Sequence, residues 1–245
     1  MVPEISLIIP VYKAGNALLT QLIKKIQVLA AITKRYEIIL VFDGKDELAE
    51  KSIIELQRHG HFYVIKSQKN YGKGHAVRAG MQKAKGKYVA YMDYDNDINP
   101  KIIKQMYAAI KKTGSNVILP SKRHELSKVK YSKLRKLYGK IYNFVLRLLF
   151  QIECKDTQVG AKMFKADFLR KILPYCEING FAFEIEIIAL AKIQNILTFT
   201  EIPVRVNLKT QSSIRMIDGL RVIVDTLKLF FRKKRLAKKF QAKIY

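Results

Sequence analysis

Three carboxylates, Asp93, Asp95 and Asp97, stand two residues apart directly after a short apolar run, Tyr88 to Met92. Like charges this close repel one another, and ionised carboxylates are seldom kept together without a partner, so the simplest chemistry they offer is capture of a divalent cation. Oxygen ligands favour Mg²⁺ or Mn²⁺, and Mg²⁺ is usually held by one or two carboxylates together with substrate phosphates. The same residues also fit a polar turn after a strand, because short aspartate motifs arise often by accident. The rest of the chain separates these two readings.

Aspartates at a strand end become a site only if other strand ends are brought to them. The first hundred residues alternate strand and helix signals. Strands are expected at Ile5 to Ile9, Tyr36 to Phe42, Phe62 to Ile65 and Tyr88 to Met92, and helices at Ala17 to Ala31, Asp46 to His59 and Gly74 to Ala84. A β-α-β-α series of this kind implies an α/β fold with a mostly parallel sheet and helices on both faces, and ligands then collect beyond the carboxyl ends of the strands. Pro10, Val11 and Tyr12 follow the first strand, Asp43 the second, and the loop Asn70 to Gly74 opens the third helix. Asp43 with Gly44 is either an ordinary turn or a contact to a base or ribose. Gly72 and Gly74 flank Lys73 at a helix start, which lets backbone N–H groups and an ammonium approach an anion. The spacing fits neither a Walker A loop nor G-x-G-x-x-G.

A length of 245 residues fits one large α/β domain or two small ones, and an apolar fraction of 49% is ample for a core. The formal charge of +26 is unevenly placed: residues 1–120 carry 19 Lys/Arg against 10 Asp/Glu, and residues 121–245 carry 27 against 10. The second half therefore suits an anionic partner such as nucleic acid, phosphate-bearing lipid or an anionic membrane surface. Cys154 and Cys176 make neither a disulfide scaffold nor a zinc site, and a reducing cytoplasmic setting is expected. The first residues do not resemble a signal peptide, and no run approaches eighteen apolar residues, so any membrane contact is expected to be peripheral, on the cytoplasmic face.

In order and spacing, IPVY (Ile9 to Tyr12), Asp43-Gly44, NYGKGHAVRAGM (Asn70 to Met81), MDYD (Met92 to Asp95), SKRH (Ser121 to His124), DTQVGAKMF (Asp156 to Phe164), FAFEIEII (Phe181 to Ile188) and EIPV (Glu201 to Val204) resemble the family 2 glycosyltransferases. Among these, the segments look most like the dolichyl- or polyprenyl-phosphate sugar transferases, and within them the dolichyl-phosphate glucosyltransferase type. The resemblance covers roughly residues 5–230. It implies a GT-A fold in which residues 1–120 form the nucleotide-sugar-binding half, residues 121–212 the acceptor-binding half, and residues 213–245 a basic amphipathic membrane-surface segment.

Carried over by position, the resemblance makes Asp93 and Asp95 the metal-binding pair, with Asp97 nearby. It puts Pro10, Tyr12, Asp43, Gly72 and Lys73 with those aspartates on the nucleotide sugar, and Ser121, Lys122 and Arg123 on the acceptor phosphate. Asp95, Arg123, Asp156 and Gln158 fall at the catalytic centre. Lys13-Ala14 and Phe42 replace an Asn-Glu pair and an Asp usual in the family, which leaves the base and sugar open. Glu184 and Glu186 lie two apart, so on a helix only one can face the crevice.

A lipid monophosphate is anionic at neutral pH and can attack an anomeric carbon without a general base, whereas a glycan hydroxyl needs a carboxylate to take its proton. Two stretches could bring the chain to such a lipid. Leu134, Leu137, Tyr138, Ile141, Val145, Leu148 and Leu149 share one helical stripe, as do Ile217, Leu220, Ile223, Val224, Leu227, Phe230 and Phe231, with cations beside both. Such helices lie in the plane of an anionic interface, each cation adding about 1 kcal/mol. A nucleic-acid-binding role, the competing expectation from charge alone, finds no recognised motif, and the aspartates would repel its phosphates.

Overall fold

The computed structural model describes residues 2–57, 61–95, 97–127, 129, 133–206 and 216–241, with side chains of 55, 57, 133–138, 140, 141, 216–220, 234 and 237–241 outside that description. Four strands form the first part of a sheet: β1 (Ile5–Val11), β2 (Tyr36–Asp43), β3 (Phe62–Ser67) and β4 (Tyr88–Met92). Between and after them run α1 (Ala17–Ala30), α2 (Glu47–Ser52), α3 (Ile54–Gln57), α4 (Lys73–Lys83) and α5 (Ile102–Thr113). The second part comprises β5 (Val117–Ser121), α6 (Lys133–Phe150), β6 (Ala161–Lys165), α7 (Ala166–Ile172), α8 (Phe183–Ile193), β7 (Phe199–Pro203) and α9 (Met216–Gln241). The helix expected at Asp46 to His59 is broken at Ile53 into α2 and α3, and its last two residues lie outside the described residues.

One seven-stranded sheet has the order β3-β2-β1-β4-β6-β5-β7. Pairs β1–β2, β1–β4, β2–β3 and β5–β7 are parallel, while β6 runs antiparallel to both β4 and β5. The inner strands β1, β2, β4 and β5 are buried on both faces and read as near-continuous apolar runs, while the edge strands β3 and β7 are only partly buried. Successive side chains still divide by period two: Ile39 and Val41 of β2 join one core, Ile38, Leu40 and Phe42 the other. On the first face lie apolar residues of α4, α6, α7, α8 and α9, and on the second those of α1, α2 and α5.

The antiparallel strand matters most for function. Because Met92 pairs with Ala161, the residues just before β6 arrive at the same sheet edge as the residues just after β4. Ser121, at the end of β5, reaches that edge as well, since β5 also runs against β6. Asp43, Asp93, Gly160 and Ser121 are thus carried to one side of the sheet by four strands of two directions.

The amphipathic stripes are narrower than the sequence pattern predicts. On α9, Thr226, Leu229 and Leu236 are buried and Phe230 packs partly on the core, while Ile223, Val224, Leu227 and Phe231 stay exposed. Leu236, within the lysine-rich end of the helix, is buried as well. On α6, Leu146 and Phe150 are buried and Leu148 is 70% exposed, next to Phe144 at 67%. Leu134, Leu137, Tyr138, Ile141, Ile217 and Leu220 lie outside the described side chains.

Candidate active site

Asp93 leaves β4 with its backbone N–H donated to the Gly160 carbonyl at 2.9 Å. The fit is close: a Cβ on Gly160 would stand 1.9 Å from Asp93 Oδ2, so only glycine leaves the carboxylate where it is. Asp93 Oδ1 meets Lys73 Nζ at 2.7 Å. Behind Lys73, Glu184 lies 3.8 Å away and in turn pairs with Lys162 at 2.5 Å. Lys162 also donates to the Tyr91 hydroxyl at 3.0 Å and the Val159 carbonyl at 2.9 Å. Charges therefore alternate from the sheet edge into the core, each neutralised by the next, which is how buried ions are tolerated. Burial pulls the Lys73 ammonium down, but Asp93 and Glu184 outweigh it and raise its pKa. Burial dominates at Lys162 and lowers its pKa despite Glu184.

Asp95 is held differently. Its carboxyl is raised by burial first and then by the negative charges of Asp93 and Asp97, and its Oδ1 accepts the Asp97 N–H at 3.3 Å. Lys25, wholly buried on α1, donates to the carbonyls of Tyr94 at 2.7 Å and Asp95 at 3.0 Å, fixing the aspartate loop from below. Desolvation lowers its pKa to about 8 against the pull of Asp95 and Asp93. Lys25 is not singled out from the sequence, although the signal is there: it shares the spacing of Leu18, Leu22 and Leu29, the buried stripe of α1, where a lysine needs a partner inside.

The donor set suits a divalent cation. Asp93 Oδ1 is already met by Lys73, so the case rests on Asp93 Oδ2 and on Asp95, whose carboxyl is raised first by burial and then by the charges of Asp93 and Asp97, which a cation would offset. Among the described residues no three His, Cys, Asp or Glu side chains gather as a ready-made metal cage. A site of one or two carboxylates completed by phosphate oxygens and water is the kind Mg²⁺ accepts.

The other expected donor residues frame the loop at the start of α4. Asp43 is buried, and its two oxygens accept the N–H groups of Tyr71 at 2.7 Å and Gly72 at 2.8 Å, so this carboxylate organises the loop. Gly72 has φ +107°, a region that favours glycine. Tyr12 is 47% exposed beyond β1 and Pro10 is half-buried within it. Asp46, which composition alone does not single out, receives the N–H groups of Ala14 at 2.6 Å and Gly15 at 3.1 Å and caps α2 through Ala49.

Where the acceptor phosphate is expected, Ser121 is buried and its Oγ accepts the Arg123 N–H at 3.3 Å. Asp156 Oδ2 accepts the Lys122 N–H at 3.1 Å and Oδ1 that of Gln158 at 3.0 Å. Glu201 Oε1 takes the N–H groups of Lys155 at 2.8 Å and Asp156 at 3.3 Å. The segments SKRH and DTQ are thereby tied together, with Arg123 laid against α6, where a Cβ on Gly139 would meet its guanidinium. Thr157 Oγ1 and Gln158 Nε2 are buried without a protein partner.

The model of the family described as Glycosyl transferase family 2 matches residues 6–173. The chain belongs to this family. Dolichyl-phosphate beta-glucosyltransferase of Dictyostelium discoideum is 30% identical over 208 residues, covering 78% of this chain and 63% of that protein. The protein of the same name from Saccharomyces cerevisiae is 28% identical over 249 residues, covering 92% and 71%. The chain thus spans about two thirds of the length of these family 2 relatives. Glucosyl-3-phosphoglycerate synthase of Mycobacterium tuberculosis, solved with Mn²⁺, UDP and glucosyl-3-phosphoglycerate, superposes with a TM-score of 0.68 at 16% identity, over 93% of this chain and 80% of that one. That likeness establishes a GT-A fold for this family 2 member, as the segment pattern implies.

Proposed function

We propose that this protein transfers a hexose, in the glucose series, from a nucleotide sugar to a polyprenyl phosphate of the dolichyl type at the cytoplasmic surface of a membrane. One observation supports the reading: the aspartates that follow β4, with Lys73 beside Asp93, and the cationic Lys122–Arg123 segment that follows β5 are carried to the same side of the sheet. The names of the relatives support the acceptor and the sugar, and the Mn²⁺ and UDP of the mycobacterial structure support a metal-assisted nucleotide donor.

Asp93 and Asp95 would hold Mg²⁺ or Mn²⁺, with Asp97 adding negative charge beside them. The cation supplies neutralisation of the charge that develops on the departing nucleoside diphosphate. Lys73 brings its ammonium to that diphosphate beside Gly72, whose own N–H is held by Asp43, while Tyr12 and Pro10 border the nucleoside. Lys122 and Arg123 orient the acceptor phosphate in line with the anomeric carbon, Arg123 by its planar fork. The acceptor oxygen is already anionic, so Asp156 and Gln158 serve to shape the crevice rather than to remove a proton, and direct displacement inverts the anomeric carbon.

The membrane reading draws on the exposed apolar groups of α6 and α9, Phe144, Leu148, Ile223, Val224, Leu227 and Phe231, on elements rich in lysine and arginine. No described helix is long and apolar enough to cross a bilayer. Incubation with radiolabelled UDP-glucose, Mg²⁺ and dolichyl phosphate, followed by solvent extraction, tests the whole proposal. Label in the organic phase is expected; label only in aqueous glycan would reassign the acceptor to a hydroxyl.

A further inference from the structure

We propose that Glu186 of α8 and Arg232 of α9 are positioning residues for the donor site, holding residues 177–180 as a ledge on which the Gly72–Gly74 loop is seated; this rests on the reading of that loop as donor-binding. Glu186 is wholly buried. Its carboxylate accepts the Glu177 N–H at 3.0 and 3.1 Å and the Ile178 N–H at 2.9 Å. Its Oε1 also receives Arg232 Nη2 at 2.7 Å. The same guanidinium donates to the Tyr175 carbonyl at 2.7 Å through Nη2 and to Glu177 Oε2 at 2.7 Å through Nη1. One arginine of the last helix thus fixes both the start of the ledge and the carboxylate that orders it.

The far side of the ledge is the donor loop. The Asn179 carbonyl accepts the His75 N–H at 3.1 Å, and Arg78 donates to the Ile178 carbonyl at 3.2 Å and to Asn179 Oδ1 at 2.7 Å. A Cβ on Gly72 would lie 2.5 Å from the Asn179 carbonyl oxygen, and one on Gly74 2.6 Å from that of Gly180. The two glycines are therefore needed for contact with the ledge itself. α9 meets the ledge a second time, since a Cβ on Gly180 would stand 3.2 Å from Asp225 Oδ2. Between the ledge-bound glycines sits Lys73, whose ammonium reaches Asp93. With the arginine fork gone, Glu186 keeps only backbone N–H donors in a buried site, the ledge loosens, and Lys73 loses the surface that aims it.

Calorimetric titration of the full chain with UDP-glucose and with GDP-mannose, each with Mg²⁺, tests this. Arg232→Lys and Glu186→Gln are each expected to raise the donor Kd about tenfold, and the double variant by about the same factor, because both act through one ledge. The KM for dolichyl phosphate should stay at its wild-type value. Met106→Ala, which opens the other core under α5, should lower Tm and leave donor Kd unchanged. Wild-type donor affinity in Arg232→Lys overturns the assignment, and that variant decides alone if Glu186→Gln does not fold. A wild-type chain that binds neither nucleotide sugar refutes the donor reading itself and takes the positioning role with it.

Discussion

Around Asp93 the lysines Lys73, Lys162 and Lys25 each meet an opposite charge or a carbonyl oxygen, whereas the carboxylates of Asp156 and Glu201 are taken up by backbone N–H groups. No described carboxylate forms an ion pair with Lys122 or Arg123. The proposed donor side is wired within the protein itself: lysines of α1, α4 and β6 and a carboxylate of α8 set its geometry. On the proposed acceptor side the loops are fixed by backbone contacts, and Lys122 and Arg123 would be left for an anion from outside. A donor diphosphate must be met by a preset metal geometry, while a lipid phosphate entering from a membrane needs a cationic landing place.

The sharpest way to break this contrast is at the wired end. Asp95→Ala should lower transfer by about three orders of magnitude while Tm stays close to wild type, since a ligand is removed and no core packing is lost. Initial rates with dolichyl phosphate and a thermal melt check both halves. Gly160→Ala should act almost as strongly, because its methyl group would displace the Asp93 carboxylate. Normal turnover in either variant would reduce the aspartates to a polar turn.

At the acceptor end the effect should be smaller and confined to one substrate. Replacing Lys122 and Arg123 together by Gln is expected to raise the KM for dolichyl phosphate about a hundredfold, since charge-assisted contacts are lost. The KM for nucleotide sugar should hold steady. An equal rise in both constants would show that the two sides do not divide the work as the wiring suggests.

The strands and helices up to β4 were legible because they are apolar runs punctuated by Pro10, Gly44 and the glycines of the α4 loop. The antiparallel strand β6 was not, since an apolar run carries no sign of its direction, and it is β6 that delivers Gly160 to Asp93. Glu184 and Glu186 could be recognised as facing different ways, and they do: one joins the Lys73–Lys162 chain and the other meets Arg232. Their ionic partners lie 22 to 46 residues away or more, beyond any local pattern. Asp43 illustrates a different limit, because a carboxylate that caps a loop and one that contacts a ribose look alike in sequence.

A milder perturbation addresses the outer face of the last helix, whose inner face holds the ledge. Leu227→Ser with Phe231→Ser changes only exposed groups, so donor Kd should match wild type while partitioning onto phosphatidylserine vesicles falls about tenfold. Raising salt should weaken the binding of the intact chain only in part, because screening acts on the lysines and arginines and not on buried apolar groups. Undiminished sedimentation with vesicles would move the anchor to Phe144 and Leu148 of α6.

The smallest effect is chemical, and it reports on the two sides separately. Cys154 precedes the Asp156 loop, and Cys176 directly precedes the ledge, its thiol donating to the Ile172 carbonyl at 3.6 Å. Burial, aided by Glu201, pushes the Cys154 thiol up to about 12, and burial, aided by Glu186, raises that of Cys176. Since the thiolate is the reactive form, both should label slowly with a disulfide reagent at pH 8 and at once in denaturant. The sign for stability follows from the raised folded pKa of Cys154: its contribution is complete below the unfolded thiol value and is lost as pH climbs towards 12. Cys154→Ala should therefore flatten the alkaline limb of a stability profile. In Arg232→Lys the loosened ledge should let Cys176 label faster while Cys154 keeps its native rate. Equal acceleration of both thiols would mean that the helix stabilises the whole domain and not the ledge.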